Sequence, residues 1–325
     1  MRVAVIGAGM AGLTAADALK KGGLDVCLFD KGRGPGGRMS TRRAQVLGKT
    51  LRFDHGAQYI SPRTADFEAE VARWVEAGVA AAWTGQFVEI DANGETNLRP
   101  SKPVYVGTPG MNEIIRYLAS GHKVEWGRRV RSVTHESTWN ITFEDGETHK
   151  GFDCVISAVP AEQVSDLFSS ASPSLADLAA SVKSDPCWTA MVAFEKGLDV
   201  EWDGASILNS PVAWAARNSS KPNRGAPDET WVLQASAEWS AANLEEEKNN
   251  ISSALLLAFQ SITNASDPIF VDAHRWRYSQ VRPKDANLFY FEEHSKLGAC
   301  GDWCSGPKIE DAWLSGRALA QAVLD

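Results

Sequence analysis

"VAVIGAGMAGLTAADAL", residues 3–19, runs from a short β-branched stretch through a glycine cluster into an Ala/Leu-rich segment. Val3 to Ile6 predicts a strand, Gly7-Ala8-Gly9-Met10-Ala11-Gly12 a turn, and Leu13 to about Lys20 a helix that Gly22-Gly23 ends. In that order each glycine has its own task. Gly7 permits the tight turn, Gly9 lets a pyrophosphate approach the backbone, and Gly12 lets helix and strand pack closely. The helix N-terminus, with Met10 and Ala11, then faces the phosphates. A second strand over Val26 to Phe29 ends in Asp30. That acid follows the last glycine at roughly the 20-residue spacing from which a carboxylate takes ribose hydroxyls. The expected fold class is therefore α/β, with a Rossmann-like dinucleotide-binding unit.

A second glycine cluster, "KGRGPGGRM" at residues 31–39, forbids regular structure where a nicotinamide enzyme would usually proceed to its next helix. Gly36 and Gly37 leave room for a bulky ring system, and Arg38 offers a fork of donors to a pyrophosphate or a flavin edge. This stretch resembles the G-G-R signature of amine-oxidase-like FAD enzymes. Within them, "FDKGRGPGGRMSTRR" followed by "FDHGAQYISP", "GTPGMNEII", "FDCVISAVP", "ARNSSKPNRG" and "GACGDWCSGPKIEDAWLSGRALA" looks like the renalase family, in the same order and along the full length.

The resemblance implies a discontinuous FAD-binding domain over 1–58, 107–165 and 292–325. It also implies an inserted substrate domain of antiparallel sheet plus helices over 59–106 and 166–291. Alternating apolar and polar residues in "CWTAMVAFEKGL" and "TWVLQASAEWS" agree with such a sheet. Lys31, Gly37 and Met39 around Arg38, His55 and Gly56 in "FDHGAQY", and Val130 in a strand over the adenine join the expected cofactor contacts. Leu297 to Asp302 reads as a strand ending in a tight turn. Ser305-Gly306-Pro307 then opens a helix, Ile309 to Leu324, with Pro307 suited to its first turn. That helix start at Ile309 would stabilise an anionic reduced flavin, and Gly301 and Asp302 would hold the ribityl or phosphate region. The same segment also reads as an ordinary terminal helix capping the sheet.

Hydride transfer needs a substrate ring stacked at near-attack distance, a task for aromatic walls. Tyr59, Trp188, Trp214, His274, Trp276 and Tyr278 are the candidates, with Ala57, Ile60 and Ser61 flanking Tyr59. Gln58 and Asn218 are uncharged donors suited to a carboxamide. Lys and Arg number 33 against 41 Asp and Glu, a formal charge of -8, so an anionic substrate needs a local basic patch. Arg217, Lys221 and Arg224 concentrate cations in a polar loop that could close over the site, with Arg275 and Arg277 next in line. His55 reads as a hydrogen-bonding structural residue. A dihydropyridine becomes aromatic on losing hydride alone, so no catalytic base is expected.

The five scattered cysteines form no C-x-x-C, and no metal-ligand spacing is visible. Cys304 precedes a helix without the surroundings of a flavin attachment point, so FAD is expected to be non-covalent. The acidic balance argues against nucleic acid and anionic membranes. No apolar run approaches the roughly 20 residues of a membrane helix, and with no signal peptide a cytoplasmic location is the expectation. The resemblance implies an FAD-dependent oxidase of 1,2- or 1,6-dihydro nicotinamide dinucleotides. It would regenerate NAD(P)+ and pass electrons to O2 as hydrogen peroxide, a metabolite-repair function. A small amine oxidase and a non-catalytic flavin-binding protein are the alternatives.

Overall fold

Strand β1 (Arg2–Ile6) is buried from Val3 onward, as a central parallel strand covered on both faces must be. It feeds helix α1 (Met10–Lys21) and then strand β2 (Asp25–Asp30), which lies parallel to β1. A computed structural model describes residues 1–100, 102–224, 228–283 and 287–325. The chain divides into two units. One comprises Met1–Gly37, Ile115–Ser184 and Gln280–Asp325, the other Arg38–Ile114 and Asp185–Ser279.

The first unit is built on a six-stranded sheet in the order Phe289–Glu292, Leu297–Cys300, Cys154–Ser157, β1, β2, Val124–Trp126. Only the Phe289–Glu292 edge is antiparallel. Strand order reverses beside β1, so the carboxyl ends of β1 and Cys154–Ser157 form the crevice where doubly wound sheets bind ligands. A three-stranded antiparallel sheet, Val130–His135, Trp139–Phe143 and Thr148–Phe152, packs Phe143 and Phe152 against Phe29. The "EDG" turn joins its last two strands, as expected of an Asp-Gly hairpin.

The second unit holds a seven-stranded sheet ordered Phe270–Arg282, Lys183–Phe194, Glu229–Ala235, Val212–Arg217, Gly204–Ile207, Phe87–Ile90, Thr96–Leu98. The expectation of an antiparallel sheet needs one correction, because Phe87–Ile90 runs parallel to Gly204–Ile207. Register gives the sheet two unlike faces. Ala190, Leu233, Ala215, Ala205 and Val88 align across neighbouring strands, and with Trp231 they pack under helix Lys248–Thr263 through Ile251, Leu255 and Phe259. Thr189, Gln234, Trp214 and Ser206 align on the other face.

The units also differ from the expected domain boundaries, for a reason of packing. The hairpin of β3 (Thr41–Val46) and β4 (Lys49–Asp54) buries Leu51 and Phe53 against Met191 and Val232, which draws 38–58 into the second unit. Helices Ala161–Phe168 and Pro173–Ala180 bury Val164, Phe168 and Leu175 with Ile6 and Phe29, which draws 166–184 into the first. Among the described residues no helix is long and apolar enough to cross a membrane.

Candidate functional site

In the first unit the glycine turn closes on itself. Gly7, at φ +105°, donates from its backbone N–H to the Phe29 carbonyl at 2.8 Å. A Cβ on Gly12 would stand 1.9 Å from the Gly7 carbonyl oxygen, so only glycine lets α1 start this close to the turn. A Cβ on Gly9, by contrast, would meet nothing within 4 Å. Gly9 is the N-cap of α1 and offers no side-chain acceptor, so the first-turn N–H groups of Met10 and Ala11 have no partner within the helix and face that open space. Such an end, carrying the positive pole of the helix dipole, suits a pyrophosphate.

Asp30 ends β2 beside this turn. Its Oδ2 accepts from the Ala8 N–H at 2.7 Å and its Oδ1 from the Gly32 N–H at 2.6 Å, so one carboxylate ties both glycine clusters together. Ser157, opposite Ile6 at the end of its strand, is buried with a hydroxyl that has no hydrogen-bond partner, and the Ser305 hydroxyl is likewise buried and unpartnered. Buried polar groups are rarely left so, and these two favour a polar ligand in the first unit. Sequence reasoning missed both serines, since a lone hydroxyl carries no spacing signal.

Other expected contacts in this unit are placed as follows. Lys31 donates to Gln163 Oε1 at 2.9 Å, and burial, then repulsion from Arg129, lowers its pKa. Val130 is half-buried against the core, and Gly37, at φ +54°, has open space where a Cβ would stand. A Cβ on Gly301 would strike the Trp303 ring at 2.6 Å, and the buried Asp302 opens the turn that follows. Ile309 starts the last helix, whose N-cap is Lys308, so Pro307 lies just outside the helix instead of in its first turn. Cys304 is buried, and burial pushes its thiol far above the ordinary range, which removes the thiolate that an attachment would need.

In the second unit the segment Asp54 to Ile60 is held by several hydrogen bonds to its backbone. Gln58 Nε2 donates to the carbonyls of Asp54 at 2.6 Å and Gly56 at 2.9 Å, Trp276 Nε1 to that of His55 at 2.8 Å, and Gln234 Nε2 to that of Gly56 at 2.8 Å. The Ala57 N–H reaches the Arg38 carbonyl at 2.8 Å, and Ile60 bridges Tyr105. Arg38 itself donates to the Ser279 carbonyl at 3.2 Å, and Met39 is buried.

This pinning overturns the reading of the "ARNSSKPNRG" loop as a set of free cations. Asp54 is fully buried, and its Oδ2 accepts from Arg224 Nη2 at 2.7 Å and Lys221 Nζ at 3.3 Å. Its Oδ1 accepts from Thr41 Oγ1 at 2.7 Å and the Met111 N–H at 2.9 Å. Burial alone would push this carboxyl up. Lys221, Arg224 and the two hydrogen bonds hold it instead at about 2. Lys221 also donates to Gln58 Oε1 at 3.2 Å, and Arg217 is engaged by Glu229 and the Val200 carbonyl. Asn218 accepts from the Asp54 N–H and donates to the Arg52 carbonyl. The loop cations find their partners elsewhere in the unit, so Lys221, Arg224, Gln58 and Asn218 are consumed in holding 52–58 in place. Gly225, the last residue of that stretch, lies outside the described residues. Arg275 and Arg277 likewise pair with Glu245.

The aromatic candidates separate by strand alternation. Trp188 points to the helix-covered side, is buried in that core and donates to the Asn243 carbonyl at 2.9 Å, so it walls no site on the polar face. On the polar face Trp214 lies against Tyr59, at 5.6 Å between ring centroids, and Phe87, at 6.4 Å. The Trp214 indole N–H is buried without a hydrogen-bond partner. Ser61 follows half-buried. A second aromatic group joins His55, His274 and Trp276 at 4.5–5.1 Å. Burial, then the neighbouring His274 and Arg42, pushes His55 down to about 3, and burial, then Arg42, pushes His274 down to about 4. Both rings are neutral at physiological pH. His55 donates to the Ser40 carbonyl and leaves Nδ1 buried as an unpartnered acceptor. Gln234, Phe87 and Arg42 escaped the sequence reading. The alternation in "TWVLQA" places Gln234 on the polar side and could have found it.

Among the described residues no group of His, Cys, Asp and Glu could hold a metal ion. The family model for NAD(P)-binding Rossmann-like domains matches residues 5–74, and that for flavin containing amine oxidoreductases matches residues 80–324. A candidate protoporphyrinogen oxidase from Exiguobacterium sp. 255-15 superimposes with a TM-score of 0.78 at 12% identity, covering 99% of this chain and 98% of that one. Cyclohexylamine oxidase from Brevibacterium oxydans IH-35A gives 0.78 at 13% identity, with 99% and 98% covered. Wild-type putrescine oxidase bound to putrescine gives 0.72 at 15% identity, with 99% of both chains covered. At these identities the likeness is one of fold.

Proposed function

We propose, from the premise that the chain belongs to the family of flavin containing amine oxidoreductases, that it is an FAD-dependent oxidase of misreduced nicotinamide dinucleotides, the 1,2- or 1,6-dihydro isomers. FAD, held by the glycine turn and Asp30, would supply the redox chemistry, taking up hydride from the dihydropyridine and passing the electrons to O2. The balance is dihydro-NAD(P) plus O2 plus one proton giving NAD(P)+ plus hydrogen peroxide. No side chain needs to remove a proton from the substrate. The work left to the protein is to bind, orient and exclude water.

One observation favours this reading over a small amine oxidase, which the family equally accommodates. Trp214, whose ring lies against those of Tyr59 and Phe87, has a buried, unpartnered N–H. A buried donor demands an acceptor on whatever stacks there. A carboxamide oxygen supplies one, whereas a protonated amine brings only donors. The sequence likeness to renalases in "FDKGRGPGGRMSTRR" and "FDHGAQYISP" points the same way.

Anaerobic mixing tests the reading. A 1,2- or 1,6-dihydro dinucleotide should bleach the flavin absorbance within the mixing experiment, with ordinary 1,4-NADH and primary amines slow or inert. Faster bleaching by an amine would replace this reading with an amine oxidase. A flavin that no candidate reduces would leave a binding protein without catalysis.

A further inference from the structure

The loop cations are spent on Asp54, so an acidic chain that takes a dinucleotide needs another cation for its phosphates. One lies on the polar face of the seven-stranded sheet, beside the aromatic group. Arg99 follows the edge strand Thr96–Leu98, and its N–H donates to the Phe87 carbonyl at 3.0 Å, which continues the pairing one residue past Leu98. Its guanidinium Nη1 donates to Ser206 Oγ at 2.9 Å. Ser206 stands directly opposite Trp214 on the neighbouring strand, a position in which Cβ atoms lie about 5 Å apart. Two residues before Ser206, a Cβ on Gly204 would meet Phe87 Cδ1 at 2.8 Å and Trp214 Cη2 at 3.0 Å, so both rings lie over that glycine. Two residues of strand span roughly 7 Å. The cation and the rings therefore share one face, at a spacing that one ribose bridges between a base and its phosphate.

Arg99 is also open to a ligand. The side chain is exposed, and among the described residues its guanidinium has Ser206 as hydrogen-bond partner and no ion pair. Lys102 and Lys196 lack ion pairs too, but only Arg99 is tied by its head group to the strand beneath the rings. Tyr59, Phe87 and Trp214 are half-buried, which leaves part of each ring to a ligand. Glu89, across from Ser206 on the strand Phe87–Ile90, is exposed on the same face and would repel an anion.

We propose that Arg99, steered by Ser206, binds the substrate phosphate that adjoins the ring stacked on Tyr59, Phe87 and Trp214. This inference rests on the dinucleotide reading above and adds the place where the charged part is recognised. Ser206 acts through Arg99 and is a positioning residue. Phosphate is the shared chemistry of two sources, the substrate and the pyrophosphate of FAD, and the test separates them.

The wild-type holoenzyme is compared with Arg99→Gln, Arg99→Lys, Ser206→Ala, Ser206→Thr and Glu89→Gln. The probes are nicotinamide mononucleotide and nicotinamide riboside, which differ only in the phosphate. Their 1,2- or 1,6-dihydro forms are used in anaerobic flavin reduction, and their oxidised forms in calorimetric binding. The wild type should favour the mononucleotide in both measurements. Arg99→Gln should cut that preference about tenfold, as loss of one charge-assisted hydrogen bond would give, and leave the riboside unchanged. Arg99→Lys should keep part of the preference. Ser206→Ala retains the charge but releases the arm, so it should lose a smaller share, which Ser206→Thr restores. Glu89→Gln should widen the preference, and added salt should shrink it more in the wild type than in Arg99→Gln. A wild type that does not distinguish the two probes, or an Arg99→Gln variant that distinguishes them equally well, overturns the proposal. Equal losses for both probes also overturn it, by making Arg99 a prop for the fold. A raised FAD dissociation constant with an unaltered preference overturns it by giving the arginine to the cofactor. If no dihydropyridine reduces the wild-type flavin, the dinucleotide reading fails by itself, and the calorimetric preference still decides whether Arg99 holds a phosphate.

Discussion

Lys221 Nζ lies 3.3 Å from Asp54 Oδ2, and neither side chain is reached by solvent. Arg224 shares the same carboxylate, so two buried cations stand against one anion. The cluster carries a surplus positive charge, which decides how its members respond to substitution.

Asp54→Asn should cost more than Lys221→Met. The first strands two cations in the interior, whereas the second leaves a balanced Asp54–Arg224 pair. Removing one partner of a buried pair typically costs about 3–5 kcal/mol, and Asp54→Asn should fall in or above that range. Urea denaturation of the two variants gives the comparison, and a greater loss for Lys221→Met would contradict the surplus-charge picture.

The same surplus sets a pH dependence. Burial, reinforced by Arg224, lowers Lys221 to about 8 from an ordinary 10.5, so the native state releases its proton first. Between pH 8 and 10.5 the unfolded chain binds more protons, and the contribution of Lys221 to stability rises with pH. Wild type should therefore gain stability relative to Lys221→Met across that window. Asp54 behaves oppositely. Its contribution is present above pH 3.8 and is lost as pH falls toward 2, so wild type and Asp54→Asn should converge on acidification. Parallel stability curves for wild type and Lys221→Met would remove the coupling.

Asp30→Ala should raise the FAD dissociation constant at least tenfold. A carboxylate hydrogen bond is worth about 1.5–3 kcal/mol, and this carboxylate also steadies the Ala8 and Gly32 amides. Asp30→Asn keeps one acceptor and should lose less. Equal FAD release rates in all three proteins would detach Asp30 from the cofactor.

Trp214→Phe should separate stability from binding. The ring is kept and an unsatisfied donor removed, so the free protein should be at least as stable as wild type. Affinity for a carboxamide-bearing dihydropyridine should nevertheless fall about fivefold to tenfold, the value of one neutral hydrogen bond of about 1 kcal/mol. Unchanged affinity, read from anaerobic flavin bleaching, would show that no ligand acceptor meets this indole.

The dinucleotide unit was legible because its signals are local. Val3 to Gly12 and Asp30 lie within one strand–turn–helix–strand span, and the steric demands on Gly7 and Gly12 leave no other residue type. The loop at 216–225 was misjudged because a run of Arg and Lys among Asn and Ser says nothing about what it meets. Its partner, Asp54, is far away in sequence and was read only as part of a neighbouring motif. Trp188 and Trp214 look alike in sequence, and only the pairing register sends one to the core and the other to the polar face. Arg42 was hidden for a related reason, since its contact with His274 joins residues far apart in sequence.

Gly316, near the end of the chain, brings the last helix so close to α1 that a Cβ there would stand 2.2 Å from the Ala11 carbonyl oxygen. The first turn of α1, the part suited to a pyrophosphate, is thus buttressed by a segment distant from it in sequence. Strand Leu297–Cys300 joins the same parallel sheet beside Cys154–Ser157, again from far along the chain. The order of the turn is therefore tied to long-range contacts, and the turn and the last helix should gain and lose protection from hydrogen exchange together.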